Sequence, residues 1–283
     1  MNVIFICTGN TCRSPMAAGY LRSFRLFNVT VHSRGLFADG SAVSANSAAV
    51  MSEMGIDISE HISHSLTKDD LSADLFICMS SSHREALLSL GLPNEKVFVL
   101  GSGISDPYGG SLTVYRACRD EILRAVDELV FSGVFTPFYL CSPDGSMMPQ
   151  IAELERECFS EPWSEKALLE SMQAGTKFFA VCQASTVLGY VGISTVLDEG
   201  YITNVAVTKS ARRQGVASLL MHRLSVLARE NSLSFISLEV RASNDGARAL
   251  YQKFGYRDEG LRKGFYRNPT EDAVIMTKRF ENE

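Results

Sequence analysis

The chain predicts an α/β protein in two parts: an open parallel sheet with helices on both faces over residues 1–131, then a second unit of helices and sheet over residues 134–283. Three observations predict this. Short apolar runs alternate with helical stretches through the first half, the pattern of a parallel sheet covered on both sides. Three consecutive strand patterns with short turns follow in the second half, as an antiparallel meander. Between them, Gly133 and the stretch Cys141-Ser142-Pro143-Asp144-Gly145-Ser146 are turn-rich, which sets the boundary near residue 132. At 283 residues the chain is long for one core and comfortable for two.

In order, the pattern predicts a strand at Val3–Ile6, a helix at Pro15–Phe27 and a strand at Val29–His32. A helix at Ser44–Met54, a strand at Asp74–Met79 and a helix at Ser82–Leu88 follow. A strand at Lys96–Leu100 and a helix from Ser111 to Val130 complete the first unit. The second opens with a strand at Val134–Leu140, a helix at Met147–Phe159 and another from Ser164. The meander is Lys177–Cys182, Thr186–Val196 and Tyr201–Val207. A helix ending near Arg229, a strand at Leu233–Val240, a helix at Asn244–Phe254 and strands near Tyr256–Tyr266 and Asp272–Lys278 close the chain.

Composition narrows the function. Apolar content of 46% and charged content of 21% fit a globular protein. No apolar run approaches membrane-spanning length, and the N-terminus has neither a basic segment nor a long apolar stretch, which argues against a secretory signal. The net charge is −5, so bulk charge does not mark a nucleic-acid binder. Seven cysteines without framework spacing point to a reducing cytoplasm.

The chemistry of the first half is concentrated in Cys7-Thr8-Gly9-Asn10-Thr11-Cys12-Arg13-Ser14-Pro15. A strand feeds this loop, and Ser14-Pro15 reads as a helix start, with serine at the cap and proline at the first position. Consecutive N–H groups at a helix N-terminus bind a phosphate dianion. Arg13 adds a bidentate clamp. The same positive field favours the thiolate of Cys7, the form that attacks. Thr8, Gly9, Asn10, Thr11, Cys12 and Ser14 are the expected phosphate-binding positions. A cysteine six positions before an arginine is common by chance; the full string after an N-terminal strand is not. Ser105-Asp106-Pro107-Tyr108-Gly109-Gly110 is a second loop at a strand's carboxyl end, where such sheets place ligands. Asp106 is either a turn former or the general acid such chemistry needs. Tyr108 either lines the pocket or packs on the loop.

On these residues, with the stretch from Ala73-Asp74-Leu75 to His83, the first half resembles the low-molecular-weight protein tyrosine phosphatase family, and most of all its protein-arginine phosphatase branch. The resemblance implies a phosphocysteine intermediate on Cys7, phosphate held by Arg13, a loop shaped by Asn10 and Ser14, and Asp106 as general acid. Tyrosine-directed members usually carry a bulky aliphatic residue where this chain has Thr11; arginine-directed members carry threonine. The segment between Leu100 and Asp106 is shorter than the family's, and Ala18-Gly19 stands where glutamate is common. Arsenate reductases share a similar loop but relay a disulfide through two further cysteines. Cys78 stands near the place for one, and no cysteine follows within the next dozen positions. Cys12 is either a protective disulfide partner for Cys7 or inert.

In the second half, Arg212-x-x-Gly215-x-Ala217 joins a strand to a helix. Small residues there let backbone N–H groups approach a pyrophosphate. With Phe159 to Pro162-Trp163-Ser164, Leu238 to Asn244, Ala249-Leu250-Tyr251 and Arg262-Lys263-Gly264-Phe265-Tyr266 through Glu271-Asp272-Ala273, this half resembles the GCN5-related N-acetyltransferase superfamily, a mixed-sheet fold, and its ribosomal-protein-alanine N-acetyltransferases. The resemblance implies acetyl-CoA along Val205, Ala206 and Val207. It places the pyrophosphate on the turn of Arg212, Arg213, Gln214, Gly215, Val216, Ala217 and Ser218, with a further contact from Asn244. Glu239 is the implied base and Tyr251 the implied acid. The substrate implied is the N-terminal alanine of the eighteenth small-subunit ribosomal protein.

The expectation is therefore a cytoplasmic bifunctional enzyme, a protein phosphatase joined to an acetyl-CoA-dependent acetyltransferase. It acts on phosphorylated proteins and a ribosomal protein, with no metal, nucleic acid or membrane, and no cofactor for the phosphatase. The alternatives are a tyrosine phosphatase fused to a small-amine acetyltransferase, or one half acting as a regulatory module.

Overall fold

The computed structural model describes residues 1–280 and divides the chain into two compact units, Met1–Thr136 and a second from Pro137 onward. In the first, β1 (Asn2–Cys7), α1 (Arg13–Ser23), β2 (Thr30–Gly35), α2 (Ala45–Ser52), β3 (Leu75–Cys78), α3 (Ser81–Ser89), β4 (Val97–Val99) and α4 (Leu112–Phe131) follow one another. The four strands form one parallel sheet in the order β2-β1-β3-β4. Val3 to Cys7 are all buried, as a strand covered on both faces requires. Ile4, Ile6, Phe76 and Cys78 pack with Leu87 of α3 on one side. On the helix side α1 packs on α4, and α4 on α2. Gly19 of α1 lets the segment after α2 lie close, since a Cβ there would stand 2.6 Å from Cγ2 of Ile58.

Three local expectations change. α1 begins at Arg13, with Cys12 at the cap position, so Ser14 lies inside the first turn; its hydroxyl is taken by Cys7 and Asn10 rather than by a cap. The helix ends at Ser23 instead of Phe27, because Arg25 and Asn28 adopt left-handed φ of 50° and 58°. The strand expected at Val134–Leu140 contracts to β5 (Tyr139–Cys141). Phe135 is instead buried as part of the first compact unit.

The second unit continues with α5 (Met148–Cys158), α6 (Glu165–Gln173), β6 (Lys177–Gln183), β7 (Thr186–Val196), β8 (Glu199–Val207), α7 (Val216–Glu230), β9 (Phe235–Arg241), α8 (Asp245–Lys253), β10 (Arg257–Arg267) and β11 (Thr270–Arg279). Its seven strands run in the order β10-β11-β9-β8-β7-β6-β5. All neighbours are antiparallel except β8 and β9. α5 and α6 cover one face over Phe178, Ala180 and Tyr190. α7 packs on β6, β7 and β8. Its Arg223 stacks on Phe179, whose side chain alternates to the other face.

Candidate active sites

The parallel register carries Cys7 to the carboxyl end of β1, the end of such a sheet where ligands bind. The loop then turns back on itself at Asn10, which adopts a left-handed φ of 55°. That turn brings the Asn10 N–H to 3.2 Å from Cys7 Sγ, while the Ser14 hydroxyl stands 3.0 Å from the same sulfur. Asn10 Nδ2 donates to Ser14 Oγ at 2.9 Å, which leaves the Ser14 proton free for the Cys7 sulfur. Asn10 is fully buried, and the segment after α2 fixes it: the His64 N–H donates to Oδ1 and His61 Nε2 to the carbonyl, each at 2.9 Å. The sulfur is thus held by donors whose own positions are held.

Arg13 is buried and reaches the other loop. It donates to the Ile104 carbonyl at 3.0 Å and pairs with Asp106 at 2.5 Å. The Asp106 side chain is half exposed, open to incoming substrate and water. The short segment after Leu100 does not keep Asp106 from the catalytic loop. Tyr108 is 81% exposed and contributes its N–H to Asp106 Oδ1 at 3.2 Å.

His83, Tyr115 and Ser44, to which the sequence assigns no role, support the loop from outside. His83, buried, is hydrogen-bonded to Thr8 Oγ1 at 2.9 Å and to Ser80 Oγ at 2.5 Å. Burial, then the charge of Arg13, hold its pKa below the ordinary histidine value, against a smaller pull from Asp106. Cys12 Sγ lies 3.4 Å from the Tyr115 hydroxyl, which Ser44 Oγ also reaches at 3.1 Å. Burial and the bond to Cys12 push that phenol up to about 12. Cys78 and Cys118 are buried, and burial chiefly pushes their thiols up to about 12 as well.

The second site is built on a divergence. β8 and β9 pair only over Glu199↔Phe235, Gly200↔Ile236 and Tyr201↔Ser237. Beyond that they separate, so Ile202–Val207 keeps its pairing with β7 alone, through an irregularity between Gly192 and Ile193. Among the described residues no strand pairs with the outer edge of β8 at Val205, Ala206 and Val207. At its end Arg212 Nε caps the Val207 carbonyl at 3.1 Å. Gly215 then takes a left-handed φ of 96°, with open space where a Cβ would stand, and α7 begins at Val216. The N–H groups of Val216, Ala217 and Ser218 are the orphan donors of that 15-residue helix. An extended ligand edge and a phosphate group fit this strand edge and helix start. Asn244 caps α8, accepting from the Ala247 N–H at 3.1 Å.

Glu239 sits on β9 beyond the divergence. Its Oε1 accepts from Arg262 at 2.7 Å, and its carbonyl from the Tyr266 hydroxyl at 3.2 Å. Tyr251 of α8 is buried, and burial raises its pKa, so the phenol holds its proton. Glu155 was not anticipated. Fully buried, it accepts from Tyr190, from Asn204 at 2.9 Å and from the Trp163 N–H at 2.7 Å. A signal existed: Met148, Ile151, Ala152 and Glu155 share the apolar stripe of α5.

Residues 2–134 match the low molecular weight phosphotyrosine protein phosphatase family, and residues 148–256 the acetyltransferase (GNAT) family. A protein-arginine-phosphatase of Geobacillus stearothermophilus is 39% identical over 45% of this chain and 92% of its own length. A low molecular weight protein-tyrosine-phosphatase of Staphylococcus haemolyticus is 35% identical over 46% of this chain and 97% of its own. A putative [ribosomal protein bS18]-alanine N-acetyltransferase of Bacillus subtilis is 35% identical over 44% of this chain and 85% of its own. The chain belongs to the low molecular weight phosphatase family in its first unit and to the GNAT acetyltransferase family in its second. It is a bifunctional enzyme, a hydrolase joined to an acetyl-CoA-using transferase.

Proposed function

We propose that the first unit removes phosphate from phosphoarginine in proteins and that the second acetylates the N-terminal alanine of ribosomal protein bS18, in the bacterial cytoplasm. The observation that carries the phosphatase half is Cys7 Sγ held by the Asn10 N–H and Ser14 hydroxyl, with Arg13 and Asp106 paired alongside.

In this reading the Cys7 thiolate attacks phosphorus, and two phosphate oxygens replace Asp106 on the Arg13 guanidinium. The P–N bond breaks as Asp106, released from Arg13 and protonated from solvent, gives that proton to the departing guanidine nitrogen. Asp106, now a carboxylate, takes a proton from water as the water attacks the phosphocysteine. Phosphate leaves and the thiolate returns. Thr11 supports arginine over tyrosine, because a small polar side chain suits a planar guanidinium. The similarity to both kinds of relative makes specificity the point to test.

In the second unit, acetyl-CoA supplies the acetyl group when bound. The edge of Val205–Val207 would hold its extended arm, and the Arg212–Ser218 turn with the start of α7 its pyrophosphate; Asn244 adds a contact. Glu239 accepts the proton that the amine loses, and Tyr251 donates one to the leaving sulfur. A protein α-amine has a pKa of about 8, so a carboxylate base is sufficient near neutrality.

Full-length wild type and Cys7→Ser are compared on phosphoarginine and phosphotyrosine peptides and on a bS18 N-terminal peptide with acetyl-CoA. The reading expects phosphoarginine turnover lost in Cys7→Ser, and acetylation in both. Phosphotyrosine turnover exceeding phosphoarginine overturns the substrate, and wild type inert in both assays overturns the whole.

A further inference from the structure

The first unit holds a second concentration of positive charge that the mechanism does not use. It lies along the free edge of β2 as an open cleft of about 580 Å³. Arg22 from the end of α1, His32 and Arg34 from β2, and His61 and His64 from the segment after α2 line it. Among the described residues, the one carboxylate paired with this set is Asp70, gripped by Arg34 Nε at 3.1 and 3.0 Å. Asp57 and Glu60 stand in an adjoining hollow beside Arg22 and His61, outside this cleft. Arg22 donates its Nε to the Val31 carbonyl at 3.1 Å; its terminal nitrogens have no partner among the described residues.

The strand adds a donor. Residues at alternate positions of an edge strand turn their backbone groups outward. The Val31 carbonyl and the Gly35 N–H are both bonded across the free edge, to Arg22 and to the His64 carbonyl. Ser33 stands between them at the same alternation, so its N–H faces the cleft, unpartnered among the described residues. Cations gathered with so little countercharge focus a field that attracts anions. Burial first, with the charges of Arg22 and Arg34, holds His32 and His61 below the ordinary histidine value, while Asp70 and the Asn10 carbonyl oppose. An anion in the cleft reverses that depression. A metal cation is the poorer fit beside two guanidinium groups, and no group of three or more His, Cys, Asp or Glu among the described residues is placed to hold one.

We propose that this cleft binds a phosphate-class oxyanion, held by Arg22, the Ser33 N–H and the surrounding histidines, at a site separate from Cys7. The volume falls within the range of about 300–1,000 Å³ typical of small-molecule sites. It admits a phosphate group carrying an organic body as well as free phosphate. His61 and His64 also hold Asn10, whose N–H lies against Cys7 Sγ, so the two sites meet at one buried residue.

The histidines report on this directly. The full chain is titrated at constant pH with inorganic phosphate and, separately, with hydroxyethylphosphonate, while the imidazole NMR signals of its five histidines are followed. His83 reads occupancy at the catalytic loop, His32 reads the cleft, and His222 in the second unit is the control. The expected result is a saturable His32 shift with its own midpoint. Arg22→Gln is expected to weaken it about tenfold or more while His83 titrates as in wild type. His64→Ala, which keeps the backbone bond to Asn10, is expected to weaken it severalfold, with unchanged His83 and His222 signals showing an intact fold. A lower midpoint for the phosphonate assigns the site to an organic phosphate, and equal midpoints assign it to phosphate itself. A His32 signal that does not move, that follows the His83 midpoint in every variant, or that ignores both substitutions overturns the proposal.

Discussion

Arg13 and Asp106 meet at 2.5 Å although they are 93 positions apart in the chain. Each is also bound to its own surroundings, Arg13 to the Ile104 carbonyl and Asp106 to the Tyr108 N–H. The pair ties the loop of Cys7 to the loop of Asp106, the nucleophile and the acid of the proposed reaction. Under the proposed function it also sets a competition, because an incoming phosphate would have to take Arg13 from Asp106.

That competition separates binding from chemistry. Asp106→Asn is expected to lower phosphatase kcat by about 10²–10⁴, the usual worth of a positioned general acid. Phosphate should bind the variant at least as well as wild type, because Arg13 no longer faces a carboxylate. Steady-state kinetics with phosphate as inhibitor checks both; weaker phosphate inhibition alongside the lower kcat contradicts the competition.

Thr11 offers the substrate test. Thr11→Ile is expected to shift the ratio of kcat/KM for phosphoarginine over phosphotyrosine toward tyrosine by about tenfold or more, a change of about 1.4 kcal/mol. An unchanged ratio removes Thr11 from the specificity argument.

The buried His83 makes stability depend on pH. Its folded pKa lies below the ordinary histidine value of 6.5, so the unfolded chain binds the proton more readily. Its contribution is fully present above about pH 6.5 and is lost as pH falls toward the depressed folded value. His32 and His61 share the direction. Thermal unfolding of the full chain between pH 5 and 8 should show a steeper acid-side loss than His83→Gln does. Coincident profiles would count against a neutral His83.

In the second unit, Glu239→Gln is expected to lower acetyl transfer by about 10²–10⁴ near neutral pH. Part of the loss should return as pH rises past about 8, where the α-amine deprotonates unaided. A pH-independent defect in kcat/KM between pH 7 and 9 assigns Glu239 another role.

Glu155 is a stability residue with three partners. Glu155→Ala leaves the Trp163 N–H, the Tyr190 hydroxyl and the Asn204 amide without their acceptor. Each unsatisfied buried group costs about 1–3 kcal/mol, so the loss should exceed about 3 kcal/mol. Denaturant unfolding measures it. Glu155→Gln, which keeps an acceptor oxygen, should recover part.

Local order was written plainly in the chain. The apolar runs of β1 and β3, alternating with helical stretches, are enough for the centre of the first sheet, because a strand buried on both faces must be apolar throughout. The loop from Cys7 to Pro15 and the turn from Arg212 to Ala217 were legible because their chemistry is contiguous and needs no distant partner to be noticed. Ends were less so. Where α1 begins depended on what the Ser14 hydroxyl bonds to, and that is Cys7 and Asn10 rather than a cap.

The two folds, the loop from Cys7 to Pro15 and the glycine turn before α7 could be read from the chain alone, because these follow from short-range periodicity and turn chemistry. Tertiary structure decided everything that joins distant segments. It set Asp106 against Arg13, His61 and His64 on Asn10, and His83 behind Thr8; it parted β8 from β9 beyond Tyr201, and buried Glu155 under Trp163 and Asn204. The reason is physical. A polar side chain in a sequence shows what it can donate or accept, while its partner is chosen by the packing that brings two segments together and removes water from between them.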